Sequence, residues 1–231
     1  MFQPNIIIRR LQECNYQETL QAMANLTLER DENSPDEIWF LEHPPVFTLG
    51  LAGKHEHLID PGSIPVYRSD RGGQVTYHGP GQLICYLLLD LKRKRIPIRK
   101  LVQHMEQAVI DMLAQEGLVA GTKPGAPGVY INGEKITALG VRVRRGCCYH
   151  GLALNVNMDT SPFQRINPCG YPGLRITQLK DLGIDMSVEQ AADALLPCLL
   201  HNLEYAGYNV VHKSHQGVFS PFLQKHKLCE A

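Results

Sequence analysis

The chain has 231 residues, and its 23 Lys and Arg balance its 23 Asp and Glu, so the formal charge is zero. That length suits one large domain with ample sequence for a core, while the missing net field argues against a general nucleic-acid or membrane-surface binder. Seven cysteines at irregular spacing do not describe a disulfide framework and point to a reducing cytoplasm; no basic and apolar signal segment opens the chain, and no apolar run approaches a membrane span.

In chain order, residues 5–9 read as a short buried strand and residues 16–31 as a helix with Leu20, Met23, Ala24 and Leu28 on its apolar face. Residues 37–42 and 46–49 read as strands broken by Pro44-Pro45. Residues 74–78 and 82–90 are expected to pair across Gly79-Pro80-Gly81, and the second, apolar on both faces, should be central in its sheet. Ile98, Leu101, Val102, Met105, Val109, Met112 and Leu113 recur at three- and four-residue spacing, which predicts a helix over 98–116 ended by Gly117. A Gly- and Pro-rich loop at 121–128 leads into β signals at 129–131, 135–144 and 147–156, with Asn132-Gly133 as a strong hairpin turn. A last amphipathic helix at 187–206 opens on Ser187 as N-cap. From about residue 212 the chain should be a loosely ordered tail. No repeat or domain boundary is visible, so residues 1–231 are expected to form a single catalytic domain.

Of the seven thiols, Cys85 and Cys198 lie in apolar runs and read as core, and Cys14 and Cys229 lie near the ends. Cys169 alone is framed by turn residues, in Asn167-Pro168-Cys169-Gly170 followed by Tyr171-Pro172-Gly173, a backbone that presents a side chain. A thiol reacts as thiolate, and a neighbouring cation favours that form. Lys135, just after the Asn132-Gly133 turn, offers the cation and a proton carrier.

A two-residue turn at Arg145-Gly146 would make residues whose numbers sum to 291 face each other, so Gly140 opposes Gly151 and Ala138 opposes Ala153. Alternation puts these four small residues on one face. They leave either a shallow groove for something long and thin or a seat for a packed helix. An eight-carbon chain in such a groove would gain about 5 kcal/mol at roughly 0.8 kcal/mol per methylene. Strict alternation puts Lys135 on the opposite face, so the strand must bulge or twist at its start.

Arg71-Gly72-Gly73-Gln74-Val75-Thr76-Tyr77-His78-Gly79-Pro80-Gly81-Gln82 matches neither a Walker loop nor a dinucleotide fingerprint. Its paired glycines allow either a close approach to a ligand or a tight bend. His78 is a base or a satisfied structural histidine. His55-Glu56-His57 and Cys147-Cys148 do not supply a metal site. Lys92, Arg93, Lys94, Arg95, Arg99 and Lys100 form either a solvated face or a dock for an acidic carrier protein.

The segment from Arg71 to Gln82, the run from Gly133 to Arg144 around Lys135, His150-Gly151-Leu152-Ala153-Leu154-Asn155-Val156 and Pro168-Cys169-Gly170 together resemble the bacterial octanoyltransferases of lipoate synthesis, in the same order. The resemblance spans roughly residues 38–182, with Cys147-Cys148 and Tyr171-Pro172 as departures. It implies an α/β (α+β) fold, a mixed sheet flanked by helices, shared with lipoate and biotin protein ligases. It implies transfer of an octanoyl group from octanoyl-acyl carrier protein to a lysine on lipoyl domains of 2-oxoacid dehydrogenase subunits and the glycine cleavage H protein, with no ATP, metal, nucleic acid or membrane. Cys169 is then the thioester nucleophile and Lys135 the residue that lowers its pKa. Arg71, Gly72, Gly73, Gln74, Val75, Thr76, Tyr77 and His78, with Ala138, Leu139, Gly140, Gly151, Leu152 and Ala153, contact substrate. Backbone N–H groups near Gly170 or the Gly72-Gly73 bend are expected to stabilise the oxyanion. An ATP-dependent ligase, a non-catalytic acyl-binding module and a cysteine hydrolase with His78 or His150 as base are the alternatives.

Overall fold

The strand that is apolar on both faces, β6 (Gln82–Asp90), occupies the middle of a seven-stranded mixed sheet in the computed structural model, which describes residues 6–212. Before it in sequence come β1 (Ile6–Glu13), α1 (Tyr16–Glu29), β2 (Asp36–Glu42), β3 (Val46–Leu49), β4 (Val66–Arg68) and β5 (Val75–His78). After it come α2 (Leu91–Lys94), α3 (Ile98–Gln115), β7 (Gly128–Ile131), β8 (Glu134–Arg144), β9 (Cys147–Asn155), α4 (Val188–Asn202) and β10 (Tyr208–His212). The large sheet runs β10-β1-β2-β6-β9-β8-β7, parallel among its first three strands and antiparallel beyond them.

Helices cover both faces, as two-sided burial of β6 requires. Leu101, Met105 and Val109 of α3 and Leu195 and Leu199 of α4 pack with Leu87, Leu89 and Leu154 on one face. Met23 and Leu26 of α1 pack with Trp39, Ile84 and Tyr86 on the other. Asn15, whose side chain accepts from the Gln17 and Glu18 N–H groups, starts α1. Ser187 and Gln190 form a reciprocal capping box at the start of α4.

Two expectations are corrected. β5 and β6 do not pair with each other: β5 joins β3 in a separate three-stranded sheet, order β4-β3-β5, while β6 pairs with β2 and β9. Gly81, at φ 83, turns the chain against the backbone of Asn157 and Met158, where a Cβ would collide. The connection therefore crosses between sheets. The second correction is the last helix, expected to reach residue 206 but ended at Asn202, with Glu204 at φ 57 turning the chain into β10, an unexpected edge strand paired in parallel with β1. The tail beyond it, with Cys229, lies outside the described residues, as does residue 5 of the first predicted strand.

Part of the basic run at 92–100 turns inward. Asp36, fully buried at the start of β2, accepts Arg30 at 2.5 Å, Arg93 at 2.8 Å, the Asp90 N–H at 2.8 Å and the Tyr205 hydroxyl at 2.5 Å. One carboxylate thus ties the end of α1, β2, α2 and the segment after α4. Asp36→Ala leaves the Arg30 guanidinium buried without its partner, and urea denaturation should show a loss of about 3–5 kcal/mol; a loss under 1 kcal/mol would contradict the clamp.

Candidate active site

Lys135 reaches the site because the β7–β8 ladder carries an extra residue. Gly128 faces Ala138 and Val129 faces Thr137, but Tyr130 faces Lys135, so Ile136 has no opposite residue. Such a bulge reverses the alternation that would have turned Lys135 away. Beyond the bulge the Lys135 N–H donates to Arg175 O at 2.9 Å, and the Thr177 N–H donates to Lys135 O at 3.0 Å. The segment following the Cys169 turn is thereby stitched to the lysine's own backbone. Gly128, at φ 140, makes room: a Cβ there would lie 3.0 Å from Lys135 Cε and 3.1 Å from Nζ.

Cys169 sits at φ 56, a left-handed conformation that non-glycine residues seldom adopt. The turn is held by the Gly170 N–H on Asn167 O at 2.9 Å, the Tyr171 N–H on Pro168 O at 3.0 Å and the Asn167 N–H on His57 O at 2.8 Å. Lys135 Nζ, with the residue only 2% exposed, donates to Pro127 O at 3.0 Å and to Cys169 Sγ at 3.1 Å. Burial pulls the lysine's pKa down, but the Cys169 thiolate and then Tyr130 pull it up further, and the net direction is above the ordinary lysine value. Lys135 is therefore an ammonium beside the sulfur.

A cavity of about 380 Å³ opens at this pair. Arg71, Gly72, Gly73, Gln74, Val75, Thr76, His78, Ala138, Leu139, Gly140, Gly151, Leu152 and Ala153 line it together with Lys135 and Cys169. Tyr77 does not: strand alternation turns it to Phe47 and Phe163 in the core of the small sheet. The β8–β9 register is the expected one, with Gly140 opposite Gly151 and Ala138 opposite Ala153 across the Arg145-Gly146 turn. The two glycines nevertheless answer different constraints. A Cβ on Gly140 would lie 3.0 Å from Gly72 O and 3.2 Å from Arg71 Cδ, so that strand is roofed by the 71–73 loop. A Cβ on Gly151 would strike the Cys85 carbonyl of the neighbouring strand.

Arg71 shapes that loop. Buried, it donates to Thr48 O at 2.7 Å, Thr48 Oγ1 at 2.8 Å, Gln74 O at 2.9 Å and Gly72 O at 2.9 Å, and no carboxylate among the described residues forms an ion pair with it. The two backbone donors expected for the oxyanion are committed elsewhere: the Gly170 N–H to Asn167 O, and the Gly72 N–H to Val141 O at 3.0 Å.

The histidines do not touch the sulfur. His78 Nδ1 pairs with Gln82 Oε1 at 2.8 Å, and burial followed by the charge of His43 pushes its pKa down to about 3. His43 Nδ1 meets Cys14 O at 2.6 Å and its Nε2 meets the Tyr86 hydroxyl at 2.7 Å; burial lowers its pKa to about 4. The carbonyl acceptor places the His43 proton on Nδ1. His150, which lines the cavity, is bonded through Nε2 to Asp70 at 2.9 Å. Sequence reasoning missed Tyr16, Ile84, Tyr86, Ile98, Val102, Pro127 and Tyr171 on the cavity wall. They come from five separate segments with no motif of their own, and Pro127 acts through a carbonyl that no residue type signals. Among the described residues no cluster suited to a metal ion occurs, and no helix is long and apolar enough to cross a membrane.

The chain matches the model of the lipoyl protein ligase A/B catalytic domain over residues 15–200. It is 55% identical over 211 residues to an octanoyltransferase of Shewanella amazonensis, covering 91% of this chain and 96% of that protein. Among solved structures it resembles lipoate-protein ligase A bound with ATP, at a TM-score of 0.74, 16% identity and coverage of 96% and 92% of the two chains. A biotin protein ligase from Aquifex aeolicus in complex with biotin and ATP matches at a TM-score of 0.53, with 17% identity and coverage of 87% and 70%.

Two outcomes are expected from this geometry. Lys135→Met removes the donor at 3.1 Å from the sulfur and should slow Cys169 alkylation several-fold at a fixed neutral pH, and an unchanged rate would contradict the pairing. His43 and His78 have folded-state pKa values below the ordinary 6.5, so the stability they contribute is present above that pH and drains away as pH falls toward 4. Unfolding free energy from urea titrations should drop across that window; a flat profile between pH 6.5 and 4 would overturn the assignment of neutral rings.

Proposed function

The chain belongs to the lipoyl protein ligase A/B catalytic-domain family and within it to the octanoyltransferases, and from that premise we propose that Cys169 carries the octanoyl group as a thioester between two proteins. The donor is octanoyl-acyl carrier protein. The acceptor is a lysine on the lipoyl domains of 2-oxoacid dehydrogenase subunits and the glycine cleavage H protein. The 3.1 Å contact between Lys135 Nζ and Cys169 Sγ carries this reading, because it puts a protonated amine against a thiol that an adenylating ligase would not need.

In the first half-reaction the Cys169 thiolate attacks the thioester carbonyl, the carbon–sulfur bond to pantetheine breaks, and the departing sulfur takes a proton from Lys135. One thioester replaces another, so this step is close to isoenergetic. Octanoylation removes the thiolate, the largest influence raising the Lys135 pKa, while burial, which lowers it, remains. The neutral Lys135 amine then accepts a proton from the incoming lysine as that nitrogen attacks the acyl carbon. Amide formation returns Cys169 to thiolate and Lys135 to ammonium, and no ATP or metal enters the balance.

The acyl chain lies in the cavity beside Ala138 and Ala153, with the loop of Arg71, Gly72 and Gly73, packed on Gly140, as one wall. Intact mass after mixing with octanoyl-acyl carrier protein should show one octanoyl group on the native chain and none on Cys169→Ser. Free octanoate with ATP should give no turnover. Turnover from octanoate that depends on ATP, or an adduct that survives on Cys169→Ser, would overturn the reading.

A further inference from the structure

Two chain segments beside the cavity carry cations and no carboxylate. Neither residues 91–105 nor residues 135–158 contain an Asp or Glu. Arg93 is committed to Asp36, and Lys94 lies 3.7 Å over the Tyr205 ring. Lys92, Arg95, Arg99 and Lys100 remain exposed on the first segment, and Arg144 and Arg145 on the second. None of these six makes an ion pair among the described residues. The segments touch: the Leu91 N–H donates to Gly146 O at 3.0 Å, and the Lys92 stem lies where a Cβ on Gly146 would be. Between this collar and the cavity stands Ile98, which both lines the cavity and is 45% exposed. Ile98 is therefore part of the lip.

We propose that the collar is the docking surface for an acidic face of the acyl carrier protein that donates the octanoyl group, and that the acceptor lipoyl domain docks elsewhere. The inference rests on the acyl-transfer reading above. Reach separates the two partners. β8 runs from Lys135, at the reacting sulfur, to Arg144, in the collar, and nine steps of an extended strand cover about 30 Å. An acceptor lysine extends about 6 Å from its backbone, so its domain must sit over the Cys169 end. A pantetheine arm spans roughly 20 Å, short of the Arg144 end, so the carrier's arm must start beside Arg99 and Lys100, next to the Ile98 lip, with Arg144 and Arg145 meeting the far side of the same domain. Exposed, unpaired cations act on such an encounter chiefly through its rate and its salt dependence.

The test is the triple variant Arg99→Glu, Lys100→Glu and Arg144→Glu; Arg95 and Arg145 are left in place because they hold φ 55 and 52. With octanoyl-acyl carrier protein at low salt, KM should rise at least tenfold. KM for the lipoyl domain should be unchanged, as should Cys169 acylation by uncharged octanoyl-pantetheine, which also reports that the variant is folded. An unchanged KM for the carrier would overturn the proposal, and so would an equal rise in KM for the lipoyl domain. Failure of the native chain to be acylated by the carrier at all would instead sink the acyl-transfer reading and the donor surface with it.

Discussion

A lysine ammonium buried 3.1 Å from a thiol is the contact on which the rest of this structure depends. A buried cation needs an anion and hydrogen-bond acceptors close by, or it sheds its proton. Several otherwise unrelated features meet that requirement together. The extra residue at Ile136 turns Lys135 inward, Gly128 leaves space for its end, and the Pro127 carbonyl accepts from it. The left-handed conformation of Cys169 brings the sulfur to it, and the 175–177 segment ties the chain after the Cys169 turn to the backbone of Lys135. Removing any of these would leave a charge without its partner inside the protein.

The surroundings keep the pair electrically simple. His43 and His78, both driven down by burial, are neutral at physiological pH, and neither is bonded to the sulfur. Arg71 contributes a second buried cation, which donates to carbonyl and hydroxyl oxygens and has no ion-pair partner among the described residues. The cavity therefore holds two buried cations, Lys135 and Arg71, and among the described residues no histidine is hydrogen-bonded to the sulfur. The fold is common to ATP-bound lipoate and biotin ligases.

Much of this was legible from residue patterns. The three- and four-residue spacing that marks α3, the two-sided apolar run of β6 and the Asn132-Gly133 turn are local signals, and each produced its element within a few residues of its bounds. The β8–β9 register followed from one two-residue turn. Long-range choices were not legible. Nothing in Gly79-Pro80-Gly81 says that its flanking strands enter different sheets, because that depends on the backbone of Asn157 and Met158. Tyr77 was misplaced for the same reason, as alternation along β5 says which residues share a face but not which face meets the cavity. The need for a bulge or twist at the start of that strand could be stated from alternation; its form, an extra residue at Ile136, could not.

In the proposed cycle the charge state of Cys169 sets the proton affinity of Lys135, so that one lysine serves as acid and then as base. The most direct measurement is an NMR titration of isotopically labelled Lys135 in the free enzyme and in enzyme whose Cys169 is capped as an S-octyl thioether. The lysine should titrate above its ordinary value in the free enzyme and move markedly lower once the sulfur is capped. An identical titration in both forms would contradict the account.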